Sequence, residues 1–316
     1  MTHRTGRAPT VAVFGSTNMD LVAYVRTAPR LGETVSGHEF RTVPGGKGTN
    51  QAIAAARAGG EVAMVGAVGE DDFGARLRAA LAESGVDTAG LRTMPGPSGT
   101  AHIVVEDGGD NSIVVVPGAN GTVTGLAPGD EARIAAAGTL LLQLELPLSG
   151  VLAAARAARA HGVRTVLTPA PVPATPLPAE LLELVDLLVP NEHEAAALTG
   201  EHDLDAAALA LLDLVPEVVV TLGEAGSRHA ARDAAGHVEI VGVPAVPVAA
   251  VDATAAGDTF VGALAVAHGE GRPMPEAMAW AAAAAALAVQ RPGASSSMPH
   301  RAEIDALHAR PEEAVR

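Results

Sequence analysis

The sequence predicts an α/β fold: a doubly wound, mostly parallel sheet flanked by helices, with a small β-sheet lid. Short apolar runs that end at glycine or proline alternate with alanine-rich helical segments, as in successive βα units. Within that alternation, two β-rich runs at residues 100–105 and 112–116 are joined by EDGGDN, which is typical of a hairpin. The 316 residues contain no long linker or repeat, so we expect one domain over residues 1–316.

The elements follow from the same patterns in chain order. The predicted core strands are the apolar and β-branched runs at residues 11–14, 61–69, 139–147, 163–171 and 217–222. The predicted helices have periodic small or apolar residues and span 50–59, 70–86, 148–161 and 275–289. The lid strands are expected within residues 17–47 and 98–120. A glycine-rich loop is expected at residues 44–48.

Composition excludes several classes of protein. The net charge of −15 and the scarcity of aromatic residues disfavour nucleic acid as a partner, and the same charge disfavours an anionic membrane surface. The absence of cysteine excludes disulfides, thiolate chemistry and cysteine-ligated zinc. The apolar segment ending at Gly15 is too short for a signal peptide, and no window approaches the roughly 18 apolar residues of a membrane span. We therefore expect a cytoplasmic protein.

One lysine stands alone in the chain. Of the 21 basic residues only Lys47 is lysine, within PGGKGTNQA. Its compact ammonium differs chemically from a guanidinium, which indicates a specific need at this position. The segment is not a P-loop, because Gly48 follows the lysine where serine or threonine is required. The glycines allow close backbone approach to a ligand, with Lys47 and Asn50 as hydrogen-bond donors.

The stretch AAVDATAAGDTFVG, residues 249–262, predicts an anion site. Its small residues Ala255, Ala256 and Gly257 let a turn approach a ligand, and a helix beginning near Asp258 presents unpaired amides there. A carboxylate beside a phosphoryl group is unfavourable unless a proton acceptor is needed. Asp258 is therefore a candidate base that takes a proton from a hydroxyl while the amides stabilise the transferring group. The alternative is that Asp258 only caps the helix.

Further polar residues lie at or near predicted strand ends. Asn18 and Asp20 share one face of an extended segment and could bind a polyhydroxyl ligand, or instead stabilise a turn. Glu145 lies at a strand's carboxyl end, where open α/β sheets bind ligands. Asn191 and Glu194, three apart, could hold a hydrated Mg²⁺ at a helix start, or could be a cap with a solvated carboxylate.

Together these motifs resemble the ribokinase (PfkB) family of carbohydrate kinases. PGGKGTNQA and DATAAGDTFVGAL carry the resemblance, and GSTNMD, QLELP, PNEHEA and TLGEAG accompany them in the family's order, over residues 11–307 approximately. The resemblance implies a ribokinase-like fold and transfer of the ATP γ-phosphoryl group to a sugar, with the 5-hydroxyl of D-ribose as the nearest match. Deoxyribose, a nucleoside or a hexose are alternative substrates. A sugar-binding protein without catalysis is the alternative from another class.

The family also implies roles for individual residues. The sugar-binding positions are Asn18, Asp20, Gly46, Lys47, Asn50, Glu145 and Asp258. The nucleotide-binding positions are Asn191, Thr221, Gly223, Gly226 and Gly257, and Glu194 would hold Mg²⁺ through water. The anion-hole amides would come from Ala255, Ala256, Gly257 and Asp258. A potassium ion would be bound by the side chains of Asp252 and Ser297 and by the carbonyls of Thr254, Ala288, Arg291 and Gly293. ATP, Mg²⁺ and K⁺ are the expected cofactors, and a homodimer through the lid is the expected assembly.

Overall fold

The computed structural model of the protein describes residues 8–233 and 235–310. Residues 1–7, 234 and 311–316 of the predicted domain lie outside the described residues. The strands are β1 (Thr10–Phe14), β2 (Asn18–Val25), β3 (Gly37–Gly45), β4 (Glu61–Gly69), β5 (Asp87–Met94), β6 (Gly99–Glu106), β7 (Asn111–Val116), β8 (Thr139–Leu142), β9 (Arg164–Leu167), β10 (Leu187–Leu188), β11 (Glu217–Thr221), β12 (Ser227–Arg232) and β13 (Val238–Val243). The α-helices are α1 (Lys47–Arg57), α2 (Asp72–Glu83), α3 (Asp130–Ala135), α4 (Leu148–Ala160), α5 (Ala179–Glu183), α6 (Glu192–Thr199), α7 (Leu204–Leu212), α8 (Ala256–Gly269), α9 (Met274–Val289) and α10 (Arg301–His308).

A large sheet of nine strands forms the centre of the protein. Its order is β13-β12-β11-β10-β9-β8-β1-β4-β5, and the strands from β11 to β5 are parallel. Only β12 and β13, at one edge, pair antiparallel. Alternate residues of β1 serve two cores: Val11 and Val13 pack with α1, α8 and α9, whereas Ala12 and Phe14 pack with α4 and α7. This arrangement confirms the predicted doubly wound, mostly parallel sheet.

A second sheet of four strands forms the lid. Its order is β3-β2-β6-β7, with β2 and β6 parallel and the outer pairs antiparallel. The pairing places Asn18 opposite both Gly45 and Gly99. Three strand ends of the lid therefore meet where the chain passes between the two sheets.

Close packing of α1 against α8 joins the two signature motifs. A Cβ on Gly262 would lie 2.7 Å from the Ala54 Cβ, so only glycine allows this separation of the helices. One turn earlier on each helix, Asn50 lies beside Asp258. Residues 208 positions apart in the sequence are brought together in this way.

Some local expectations need correction. Helix α1 begins at Lys47 rather than at Asn50, because Gly46 adopts a positive φ of 89° as the N-cap and the chain turns into the helix directly. Lys47 therefore belongs to the first helical turn and not to a loop. The strand predicted over residues 139–147 ends at Leu142, since the chain turns away before Glu145. Strands β5, β10, β12 and β13 have no counterpart among the predicted core strands.

None of the helices within residues 8–233 and 235–310 combines the length and hydropathy that crossing a membrane requires.

Candidate active site

The polar residues singled out in the sequence collect at the carboxyl ends of the parallel strands. Glu145 and Asn191 lie in the segments that follow β8 and β10, Thr221 is the last residue of β11, and Asn18 is the first residue of β2, shortly after β1. Helices α1 and α8 add their N-terminal turns on one side, and β2 of the lid adds Asp20. Ligands bind at this edge in open α/β sheets, because the strand ends leave a crevice between loops.

Asp258 lies in the first turn of α8 and is 8% exposed. Its Oδ2 accepts a hydrogen bond from Asn50 Nδ2, and its Oδ1 accepts one from Gln51 Nε2, each at 3.0 Å. The N-cap position belongs to Ala255, which makes no side-chain cap bond, so the interpretation of Asp258 as a simple helix cap is wrong. The carboxylate is instead held against α1, at the N-terminus of α8, where the Ala256 amide is bonded to the Ala253 carbonyl.

The turn that precedes α8 is strained. Ala255 has a φ of 59° and is the one non-glycine residue with positive φ in the described part of the chain. Such a conformation costs an ordinary residue roughly 1–3 kcal/mol and is concentrated at functional sites. Beside it, Gly257 is exposed, and a Cβ there would meet nothing within 4 Å. Gly257, at the N-terminus of α8, therefore borders open space.

Asp20 points from the lid strand β2 into the same region. Burial, together with the negative charges of Glu145 and Asp258, raises its pKa from 3.8 to about 7. A Cβ on Gly45 would clash with the Asp20 carboxylate, so the paired strand β3 needs glycine there. Asn18 and Asp20 lie within β2, which excludes the alternative that they stabilise a turn.

Glu145 anchors the start of α1. Its Oε2 accepts the Lys47 amide at 3.0 Å and also a short hydrogen bond from the Ser16 hydroxyl. Burial acts to lower the pKa of the Lys47 ammonium, but the carboxylates of Asp258 and Glu145 outweigh it, and the pKa lies above its ordinary value. Glu194 adds to the same effect, so Lys47 lies within reach of charges on both sides of the site.

Asn18 is oriented by a residue that the sequence did not indicate. Asn120, which is fully buried, donates through Nδ2 to Asn18 Oδ1 at 2.8 Å and also bonds both backbone groups of Thr17. The carbonyl of the Asn18 side chain is thus engaged, and its amino group is left for a ligand.

Gln51 and Gln143 are further site residues that were not identified. Gln143 Nε2 donates to Gln51 Oε1 at 2.6 Å, and Gln51 in turn donates to Asp258. The amino-acid composition could have indicated these two residues. The chain has only three glutamines and five asparagines, and most of these eight residues surround the site: Asn18, Asn50, Gln51, Asn120, Gln143 and Asn191.

The segment that resembles the nucleotide and magnesium elements is adjacent. Asn191 forms a β-bridge with Thr221, and the tight turn after it contains Gly223 and Gly226, both with positive φ. Asn191 caps α6 through a reciprocal capping box with Glu194, which confirms the capping interpretation of Asn191. Glu194 is held by that cap through Oε2, rather than being freely solvated.

These residues fit Mg²⁺ in one way only. Within residues 8–233 and 235–310 no group of three or more acidic or histidine side chains could cage a metal ion. Mg²⁺ commonly keeps several waters and is bound through one or two carboxylates plus substrate phosphates. The Glu194 carboxylate, with Oε1 outside the capping box, suits that mode of binding.

The residues assigned to a potassium ion lie where two loops join beside α8. Asp252 accepts the Thr254 amide at 2.9 Å and the Gly293 amide at 2.8 Å. Burial opposes ionisation of Asp252, but these hydrogen bonds lower its pKa and keep it charged. Ala288 lies in the last turn of α9, and its carbonyl accepts the amide of Arg291, in the loop that follows, at 3.1 Å. The Ser297 hydroxyl, in the same loop, donates to the Ala294 carbonyl.

Comparison with known proteins agrees with this geometry. Residues 8–301 match the family described as pfkB family carbohydrate kinase. Ribokinase of Bacillus subtilis is 42% identical over 300 residues, covering 94% of this chain and 98% of that protein. Ribokinase of Schizosaccharomyces pombe is 40% identical over 312 residues, covering 93% and 96%. The structure of Arabidopsis thaliana ribokinase complexed with ribose and ATP superposes with a TM-score of 0.88 at 36% identity, covering 96% of this chain and 100% of that one. The chain therefore belongs to the pfkB family of carbohydrate kinases.

Proposed function

We propose that this carbohydrate kinase transfers the γ-phosphoryl group of ATP to the 5-hydroxyl of D-ribose, giving ribose 5-phosphate. One observation carries the proposal: Asp258, buried at the N-terminus of α8, is held by the two amide side chains that follow the only lysine of the chain. A base, an anion-binding helix end and sugar-type ligands thus occupy one site. The relatives named ribokinase, which match nearly the whole chain, support ribose as the substrate.

The mechanism follows from the positions of these groups. Asn18 and Asp20 bind sugar hydroxyls from the lid side, while Asp258 accepts the proton of the hydroxyl that attacks phosphorus. The amides of Gly257 and Asp258 at the start of α8 and the ammonium of Lys47 stabilise the charge that spreads over the transferring group, whereas the Ala256 amide already donates to the Ala253 carbonyl at 3.2 Å. The sugar lies between lid and helix, where water, the competing nucleophile, is excluded.

Glu194 would hold Mg²⁺, which would neutralise charge on the ATP phosphates when bound. The chain itself orients ATP through Asn191 and Thr221 and through the turn between Gly223 and Gly226. Thr221 donates its amide to the Pro190 carbonyl at 3.0 Å, which ties the two nucleotide segments together. A cytoplasmic location stays a prediction.

Turnover of matched substrates tests the proposed function. Ribose, deoxyribose, fructose and adenosine are compared at equal concentrations with Mg-ATP, following ADP release. We expect the highest kcat/KM for ribose, because Asn18 and Asp20 present a donor and an acceptor that suit neighbouring hydroxyls. A preference for adenosine or fructose would contradict it. Ribose binding by calorimetry without ADP formation would favour the non-catalytic alternative.

We also propose that a monovalent cation binds beside α8, at Asp252 and the carbonyls around it. The ionised Asp252 carboxylate bonds to amides of both loops, so charge compensation there steadies the turn that leads into the anion-binding amides. We expect kcat to rise with KCl and Asp252→Asn to lose that dependence, measured against choline chloride at equal ionic strength. A variant that keeps the full KCl response would contradict this site.

Dimerisation through the lid is the proposed assembly. The four apolar residues 113–116 of the edge strand β7 are each between 45% and 64% exposed, on both faces of the strand. An apolar edge strand of this kind favours pairing with another chain. We expect a dimer in sedimentation velocity and a monomer for Val114→Glu. Leu209→Glu, at an exposed apolar position on α7, is the control and stays dimeric. A monomeric wild type would refute the lid dimer.

A further inference from the structure

A chain of buried amide side chains runs from the central sheet to Asp258. Gln143, immediately after β8, donates through Nε2 to Gln51 Oε1 at 2.6 Å. Gln51, on α1, donates through Nε2 to Asp258 Oδ1 at 3.0 Å and to Thr168 Oγ1 at 3.2 Å. Gln51 and Gln143 are 0% and 1% exposed. The network therefore joins four separate segments, and only Thr168 among its members is half-buried rather than buried.

The pattern of hydrogen-bond donors and acceptors in this network allows each amide side chain only one orientation. An ionised carboxylate only accepts hydrogen bonds, so Gln51 must turn its amino group toward Asp258. Its carbonyl then faces Gln143, which must present its own amino group. Chains of this kind polarise one another and hold their members more firmly than isolated bonds do. The orientations of the Gln51 and Gln143 side chains are therefore coupled to each other and to the ionised Asp258.

The far end of the chain is held by backbone. Gln143 is packed so closely that a Cβ on Gly15 would clash with its Oε1. That oxygen has no hydrogen-bond partner although it is buried. Such an arrangement costs free energy, and Gln143 retains it while donating to Gln51. The presence of Gln143 is therefore better explained by its orienting Gln51 than by a contribution to the stability of the fold.

The near end determines the plane of the carboxylate. Asn50 binds Oδ2 and Gln51 binds Oδ1, so two donors fix the rotation of the carboxylate about its Cβ–Cγ bond. Asn50 also faces the proposed sugar site, and its Oδ1 is buried without a partner. Asn50 can therefore shift toward a substrate, whereas Gln51 is bonded only within the protein.

We infer that Gln51, oriented by Gln143, is a positioning residue that holds the Asp258 carboxylate in line with the attacking hydroxyl. This inference rests on the proposed function, because it assigns Gln51 a role in the proton transfer to Asp258. The side chain of Gln51 is bonded to Asp258, Gln143 and Thr168, so its proposed role needs no contact with substrate or phosphate. It acts on kcat through the geometry of the base, since a displacement of about 1 Å in a reacting group lowers rates by about 100-fold.

The test replaces each glutamine by methionine, which has similar length but donates no hydrogen bond. We expect Gln51→Met to lower kcat by about 10- to 100-fold, with the Kd for ribose changed less than about twofold. Gln143→Met, one bond further away, is expected to lower kcat by about threefold to tenfold. Asn111→Ala, which removes an exposed amide side chain at the start of lid strand β7, is the control and keeps wild-type kcat. Thermal unfolding of every variant is measured alongside.

Double variants separate positioning from a merely structural role. If Gln51 acts through Asp258, then Gln51→Met lowers kcat no further in an Asp258→Asn background. Equal losses in both backgrounds, or a parallel loss of ribose affinity, would overturn the inference. If Gln51→Met does not fold, Gln143→Met carries the same comparison. A wild type that phosphorylates another sugar contradicts the proposed substrate only, and the glutamine variants are then compared on that sugar.

Discussion

Replacement of Asp258 by asparagine is expected to lower kcat for sugar phosphorylation by about 10²- to 10⁴-fold, the usual contribution of a positioned general base. The amide keeps the size of the side chain and can still bond to α1, so the helix and the sugar site stay in place. We therefore expect ribose to bind the variant with little change. Steady-state ADP release and ribose calorimetry measure the two quantities separately.

Asp72→Asn is the matched control for this variant. Asp72 also lies in the first turn of a helix, α2, but it is exposed and belongs to another part of the fold. Its replacement should leave both kcat and ribose affinity unchanged. Near-normal turnover by Asp258→Asn would end the assignment of Asp258 as the base, whereas a loss of ribose binding alone would make it a sugar ligand.

The sequence was sufficient for the fold class, and it also singled out the central residues of the candidate site, because both depend on local patterns. Alternating apolar runs predict parallel strands, and a small-residue turn before an apolar run predicts the start of α8. The lone Lys47 and the carboxylate of Asp258 stand out by chemistry that their surroundings make unusual. Each of these signals lies within a window of a few residues.

Gln51, Gln143 and Asn120, which orient the predicted site residues, could not be predicted from the sequence for a physical reason. Gln51 and Gln143 bond across 92 positions, and Asn120 reaches Thr17 and Asn18 across the lid junction. No local period indicates such contacts, since they depend on how the strands order in the sheet. Only the rarity of asparagine and glutamine in this chain marks these positions, and rarity alone does not say which partner each amide has.

The site combines three carboxylates, Asp20, Glu145 and Asp258, with the ammonium of Lys47. Burial is the larger cause of the raised pKa of Asp20, and repulsion by the carboxylates of Glu145 and Asp258 adds to it. Near neutral pH the free protein therefore holds Asp20 as a mixture of protonated and ionised forms. A sugar that donates hydroxyl hydrogen bonds binds the ionised form, so sugar binding and proton release are linked.

Asp20→Asn is expected to weaken ribose binding by about 100-fold, because hydrogen bonds to a charged acceptor are worth about 1.5–3 kcal/mol each. The wild-type Kd for ribose should rise as pH falls below about 7, by up to about tenfold per unit, since Asp20 must lose its proton to bind. The variant should lack this dependence. Calorimetric titrations between about pH 5.5 and about pH 8.5, in steps of about half a pH unit, measure how the ribose Kd of each protein depends on pH. Asp110→Asn, in the exposed turn of the lid, is the control.

The stability of the ribose-free wild type should fall as pH rises, whereas its affinity for ribose should increase. The folded-state pKa of Asp20 is raised, so its contribution to stability is fully present below its ordinary pKa of 3.8 and is lost as pH rises through about 7. Asparagine cannot ionise, so Asp20→Asn should unfold at a higher temperature than wild type at alkaline pH and at a similar temperature at acidic pH. Bound ribose should remove the advantage, because it stabilises only the wild type's ionised carboxylate. A variant that is destabilised at alkaline pH, or a wild-type Kd for ribose that does not depend on pH, would show that Asp20 is not a buried sugar-binding carboxylate with a raised pKa.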